Sequence, residues 1–215
     1  MTATPHVPLY SPAAERNKHP LLDALLHLLP AQGRALEIAS GTGQHVAHFS
    51  AGMPGWAWLA SDADAQALAS IRTWWPDGPA PLRLDLLSDL QTGLQTEVDW
   101  PLPPSHAQRL DAIFSANMLH ISPWATCAAL MRGAGRHLLP GGQLIVYGPF
   151  IVAGVATAAS NLAFDADLQR RNPAWGLRTL ADVQAEAQRH GLQLTRQLAL
   201  PANNLLLAFT TKDSP

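Results

Sequence analysis

The sequence is short of cysteine, of tyrosine and of charge. One residue in 215 is cysteine, Cys127, so no internal disulfide can form and nothing points to an oxidising compartment. Charged side chains make up 14%, with 14 Lys and Arg against 16 Asp and Glu, well below the usual share of about 25%. A net charge of -2 provides no basic stripe for duplex nucleic acid or an anionic membrane. No apolar run approaches the roughly 20 residues of a membrane span. The first twenty residues carry Pro5, Pro8, Pro12, Glu15 and Arg16 without an apolar stretch, so no signal peptide is expected and a cytoplasmic location is. Hydrophobic residues are plentiful at 47%, enough for a large core, and the length suits a single domain over 1–215.

Along the chain, apolar runs alternate with helical periodicity. An N-terminal arm extends to about Lys18, with Ser11-Pro12 as a helix cap followed by proline in the first turn. Leu22, Leu25, Leu26 and Leu29 then mark a helix over 19–29, closing an arm-and-helix segment of 1–30. Strands are expected at 34–39, 56–61, 82–84, 111–115 and 143–147, and helices at 42–49, 64–75 and 124–137. Residues 88–109 read as a connecting excursion, and 148–178 as an irregular insertion with a helix near 161–171. Thr179 with Asp182 resembles a capping box, Gly191 suits a helix end, and strands at 193–200 and 204–210 close the chain. This order predicts a doubly wound, Rossmann-like α/β fold with a mostly parallel sheet and one antiparallel strand near the C-terminus.

Ligands of such sheets lie beyond the carboxyl ends of the strands, next to the first. There the chain reads Glu37-Ile38-Ala39-Ser40-Gly41-Thr42-Gly43, and Gly41 and Gly43 permit close approach to the main chain. Asp62 ends the second strand about 20 residues on, where a carboxylate can accept ribose hydroxyls. Asp85 follows the third, within reach of an adenine amino group. A dinucleotide loop wants a third glycine where Val46 stands, and no phosphate loop of the G-x-x-x-x-G-K-[ST] kind occurs. Glu37 would repel a pyrophosphate but suits a ligand carrying an ammonium and a sulfonium. That description fits S-adenosylmethionine.

Several segments carry a resemblance. Ser11-Pro12-Ala13-Ala14-Glu15-Arg16-Asn17-Lys18, Glu37 through His45, Ser61-Asp62, Ser115-Ala116-Asn117-Met118-Leu119-His120-Ile121 and Tyr147-Gly148-Pro149-Phe150 are similar to a family of class I methyltransferases that includes methyltransferase-like protein twenty-six. Ser160-Asn161, Arg171-Asn172-Pro173, Trp175-Gly176 and Pro201-Ala202-Asn203-Asn204 extend the likeness over nearly the whole chain. The resemblance implies a seven-stranded sheet, S-adenosylmethionine as cofactor, and His45 in the cofactor pocket. It implies no acceptor. Ala39 stands where many class I enzymes have glycine.

The candidate cofactor set is Glu37, Ala39, Gly41, Gly43, His45, Asp62, Asp85 and Asn117, with Arg16 and Asn17 reached if the arm folds over the strand ends. Asn117 follows the fourth strand, where its amide can orient an acceptor or cap a turn. His120 is the candidate base, or a structural histidine. Tyr147 ends the fifth strand and holds substrate or loop. Arm and insertion together form a lid over a small-molecule acceptor, with Asn161, Arg171 and Arg178 facing it. Deleting residues 1–18 is then expected to leave the core folded and abolish binding. His45 and His48 lack a third ligand, so no metal is expected. Trp74, Trp75, Trp124 and Trp175 read mainly as core. The function expected is a methyltransferase; the alternatives are a non-catalytic S-adenosylmethionine-binding protein and a nicotinamide-dependent oxidoreductase.

Overall fold

The computed structural model describes residues 7–88, 99–107 and 110–211. Two compact units emerge, the first of Met1–Asp85 with Pro101–Gln108, the second of Leu86–Trp100 with Arg109–Pro215. Most of the excursion expected at 88–109 lies outside the described residues.

In the first unit, helix α1 spans Pro12–Leu28, with the Ser11 side chain accepting from the Ala14 amide. Arm and helix are thus one element, and the break expected near Lys18 is absent. Pro20 lies inside α1, and Leu21 and Leu25 bury its inner face completely. Strand β1 is Gly33–Glu37 and β2 is Trp56–Asp62, paired in parallel from Gly33↔Trp56 to Glu37↔Ala60. Their burial on both faces suits the apolar runs of a covered parallel sheet. Helix α2 is Gln44–Gly52 and α3 is Ala65–Trp74, the latter capped by Asp64. Strand β3 is only Leu82–Arg83, parallel to β2, so Asp85 stands two residues past its end. Helix α4 is the single turn Pro104–Ala107.

The second unit has β4 (Leu110–Ala116), α5 (Trp124–His137) and β5 (Leu138–Gly148). Strand β5 starts five residues before the expected Gln143, because Pro140-Gly141-Gly142 is absorbed as a bulge against β4 instead of ending the helix in a free turn. The short strands β6 (Phe150–Ile151) and β7 (Arg178–Thr179) pair in parallel across the insertion, which also holds α6 (Ala159–Arg171). Helix α7 (Leu180–Arg189) is capped by Thr179, and Gly191 follows it with φ +76°. Strands β8 (Leu192–Leu200) and β9 (Asn204–Thr211) form the closing hairpin. Strand β9 runs antiparallel to both β5 and β8. The strand orders are β3-β2-β1 in the first unit and β4-β5-β9-β8 in the second. This inventory is that of a seven-stranded, mostly parallel, doubly wound sheet with one antiparallel strand.

Candidate functional site

The chain leaves β1 at Glu37 and turns through residues with left-handed backbone: Ala39 at φ +55°, Gly41 at +56° and Gly43 at +91°. The two glycines serve different ends. A Cβ on Gly43 would come within 2.7 Å of the Ile71 Cα, so that glycine lets the loop pack on α3. A Cβ on Gly41 would meet no atom within 4 Å, so the space beside it is open. Ala39 adopts the same torsions at a steric cost that glycine would not incur.

Side chains at the end of β2 hold this loop. The Asp62 Oδ2 accepts from the Gly41 amide at 2.8 Å, and Oδ1 accepts from Asp64 at 3.0 Å. The Ser61 hydroxyl donates to the Glu37 carbonyl at 2.8 Å, and the Ser40 amide donates to the Ser61 carbonyl at 2.9 Å. From the other side the arm grips the start of α2. The Ser11 amide donates to Gln44 Oε1 at 2.7 Å, and Gln44 Nε2 donates to Glu15 at 2.9 Å. Asn17 Oδ1 lies 2.7 Å from His45 Nε2. Ser70 links the arm to the loop, accepting from the Leu9 amide and donating to the Thr42 carbonyl.

Charge is distributed differently from the sequence expectation. Glu37 is 1% exposed, and its Oε2 is buried without a hydrogen-bond partner. Burial foremost, with the Asp62 charge adding to it, pushes its carboxyl up to about 8. Burial likewise pushes His45 down to about 4. Their contact, 3.8 Å between Glu37 Oε1 and His45 Nδ1, is therefore not an ion pair at neutral pH. Glu37 is mostly protonated without a ligand, so it repels a pyrophosphate only weakly.

Among the arm residues, Asn17 is committed to His45, whereas Arg16 is exposed. Asp85 is exposed beyond β3. The acceptor set at the loop fits a nucleoside with a cationic substituent. A carboxylate offers about four lone-pair sites, and Asp62 uses two on backbone amides. Glu37 has one buried oxygen without a partner, which a cationic group could pair with.

In the second unit, Asn117 follows β4 in left-handed backbone, φ +60°, its amide donating to the Tyr147 carbonyl at 2.8 Å. Tyr147 is buried, and its hydroxyl accepts from Asn204 Nδ2 at 2.7 Å. His120 belongs to a single 3-10 turn, Met118–His120, and is fully buried. Neither of its ring nitrogens has a hydrogen-bond partner. Its ring meets Phe150 edge-on at 4.8 Å, and a Cβ on Gly148 would fall 2.4 Å from Nε2. Burial, then the Arg178 charge, pushes the imidazole down to about 3, so it is a weak base as it stands.

Arg178 was expected to face an acceptor, and the structure corrects this. Its guanidinium donates to the carbonyls of Leu119 at 2.9 Å, Ser122 at 2.6 Å and Ala174 at 2.9 Å, and lies over Trp124. It is a strap between the 118–122 turn and the insertion. Arg171 lies over Trp175 and pairs with Asp167, also on its own segment. Asn161 donates to the Asn203 carbonyl at 2.9 Å and lines a cleft. Gln44 and Gly148 lie in segments that carry the resemblance but were given no role there, and Ser70 has no sequence signal without the partners it touches. Among the described residues there is no cluster of three potential metal ligands, and no helix long and apolar enough to cross a membrane.

Comparisons with solved structures agree on the fold. An O-methyltransferase family protein from Burkholderia thailandensis superimposes with a TM-score of 0.73 at 15% identity, covering 94% of this chain and 58% of that one. Human N-acetylserotonin methyltransferase in complex with S-adenosylmethionine gives 0.73 at 14%, covering 93% and 53%. An O-methyltransferase family 2 protein from Planctomyces limnophilus in complex with apigenin gives 0.67 at 16%, covering 92% and 61%. The chain thus spans little more than half the length of these structures. At such identities the likeness is one of fold, that of class I methyltransferases. A family profile matches residues 8–211, nearly the whole sequence, and the chain belongs to that family, described as Protein of unknown function (DUF938).

Proposed function

We propose that the protein is an S-adenosylmethionine-dependent methyltransferase acting on a small molecule. The observation that carries this reading is the Gly41 loop: open beside its glycine, tied to Asp62, and headed by a buried carboxyl with an unpartnered oxygen. The fold shared with methyltransferases, one of them in complex with S-adenosylmethionine, supports it. The absence of a third loop glycine, with Val46 in its place, disfavours the oxidoreductase.

When bound, S-adenosylmethionine supplies the methyl group. Asp62 would accept from the ribose hydroxyls, and Glu37, its proton passed to solvent, would pair with the amine. His45, kept neutral and turned by Asn17, adds a wall to the pocket, and Ala39, Gly43 and Asp85 complete its outline. Arg16 stays available at the surface for a carboxylate. In the second unit, Asn117 would orient the acceptor, and Tyr147 with Asn204 fixes the strand end beside it. Alignment of an acceptor by such groups can contribute about 7–11 kcal/mol where near-attack geometry is reached. His120 accepts a proton only if acceptor binding opens its surroundings. Its burial favours, as a second reading, binding without transfer.

Calorimetric titration with S-adenosylmethionine and with NADH tests the reading. Saturable binding of the first and none of the second is expected. Binding of NADH alone would overturn it.

A further inference from the structure

A cleft of about 430 Å³ opens in the second unit, between the 152–161 stretch of the insertion and the tip of the β8–β9 hairpin. Its size suits a drug-sized molecule, for which pockets start at about 300 Å³. Two of its walls touch the residues assigned to acceptor chemistry. Phe150 lines it and packs on His120, and Asn204 lines it and donates to the Tyr147 hydroxyl.

The lining contains no ionisable side chain. Phe150, Val152, Val155, Leu200 and Leu205 make it largely apolar, and Val155 is 63% exposed. Its polar groups are neutral and of both kinds. Asn161 and Asn204 each use one N–H, on the Asn203 carbonyl and on the Tyr147 hydroxyl, and their amide oxygens are acceptors. Helix α6 begins at the cleft on Ala158, which has no capping side chain; the Asn161 amide is taken by the Ala158 carbonyl at 2.9 Å, so Ala159 and Ser160, next to the lining, supply the first-turn donors. A group that both donates and accepts without charge matches that pair, and a hydroxyl is the simplest. An ionised group would enter an apolar cleft with no counter-charge, at a large desolvation cost.

We infer that this cleft is the acceptor subsite and takes an uncharged, largely apolar compound bearing a hydroxyl. The assignment rests on the methyltransferase reading for the word acceptor, but not for binding itself.

The probes are 2-naphthol, naphthalene and 2-naphthoate, titrated into the full chain at neutral pH by calorimetry, with S-adenosylmethionine titrated into the same preparation. Naphthol is expected to bind at least about tenfold more tightly than naphthoate, because burying an unpaired carboxylate is costly. It should also bind more tightly than naphthalene. Val155→Asp and Ala156→Asp change exposed positions, so they should leave the melting temperature unchanged while weakening naphthol about tenfold. Equal binding of naphthol and naphthoate, no binding of naphthol, or indifference to both substitutions would overturn the inference. S-adenosylmethionine binding without naphthol binding sinks only this acceptor class. Naphthol binding without S-adenosylmethionine binding sinks the methyltransferase reading and leaves the cleft a ligand site.

Discussion

Asp62 accepts the amide hydrogen of Gly41 at 2.8 Å, so the acid that ends β2 fixes the apex of a loop twenty-one residues earlier in the chain. The same carboxylate accepts from the Asp64 amide at the start of α3. One side chain therefore sets the loop shape and keeps lone pairs for a ligand.

Asp62→Ala leaves two backbone amides without their acceptor. Hydrogen bonds to charged groups are worth about 1.5–3 kcal/mol, so affinity for S-adenosylmethionine should fall by roughly ten- to hundredfold, with a lower melting temperature. Asp62→Asn, which keeps one acceptor oxygen, should recover more stability than affinity. Calorimetry and thermal unfolding on both variants check this, and unchanged affinity in Asp62→Ala would remove the loop from the site.

Stability should peak near pH 6.5. Glu37 has a folded value of about 8, above its ordinary 4.5, so its contribution is complete below 4.5 and is lost as pH rises to about 8. His45 and His120 have folded values of about 4 and 3, below their ordinary 6.5, so each costs stability in acid and stops doing so above 6.5. Each group contributes about 1.4 kcal/mol per pH unit within its window. Between 4.5 and 6.5 the two histidines outweigh Glu37 and stability rises; from 6.5 to 8 Glu37 acts alone and it falls. Glu37→Gln should abolish that alkaline fall. Urea unfolding at stepped pH measures it, and a wild-type curve flat from 6.5 to 8 would mean that the carboxyl is ionised in the ligand-free protein.

Gly148→Ala should destabilise the protein by about 1–3 kcal/mol, the usual range for overpacking a filled core. The added methyl carbon falls 2.4 Å from His120 Nε2. In a His120→Ala background the same change should cost far less, a coupling that a double-mutant cycle in denaturant quantifies. Additive costs would show that the clash is not with the imidazole.

Arg178→Lys should behave as a loss, not a conservative change, because one ammonium cannot reproduce a planar fork reaching three carbonyls. A loss of about 1–3 kcal/mol is expected from the carbonyls left unsatisfied. Faster amide exchange at Ile121 and Gly176, which hydrogen-bond across this turn, would accompany it. Unchanged exchange at those amides would contradict the strap.

Deleting residues 1–18 should now unfold part of the first unit instead of sparing the core. The deletion removes the first seven residues of α1, including buried Ala14, together with the bonds from Ser11, Glu15 and Asn17 to α2. A cooperative melt at the full-length temperature would restore the separate-arm reading.

Much of the fold was legible because it is written in local chemistry. Helix caps at Ser11 and Thr179, the glycine after α7, the bounds of α5 and the hairpin loop at 201–203 follow from residue type and spacing, which act over a few positions. The elements misplaced were those decided by partners. Helix α1 continues past Lys18, where the arm was expected to end, the bulged start of β5 needs β4 beside it, and β6 and β7 are two residues each and exist only as a pair.

The sequence by itself determined the order of strands and helices, the glycine loop and the acid that follows β2, because periodicity, turn chemistry and chain spacing are properties of the string. The charge on Glu37 and His120, the commitment of Asn17 to His45, and the diversion of Arg178 from ligand to backbone were decided only by tertiary structure. Ionisation and hydrogen-bond commitment depend on how much water a group loses and which neighbour replaces it, and residues far apart in the chain supply those neighbours.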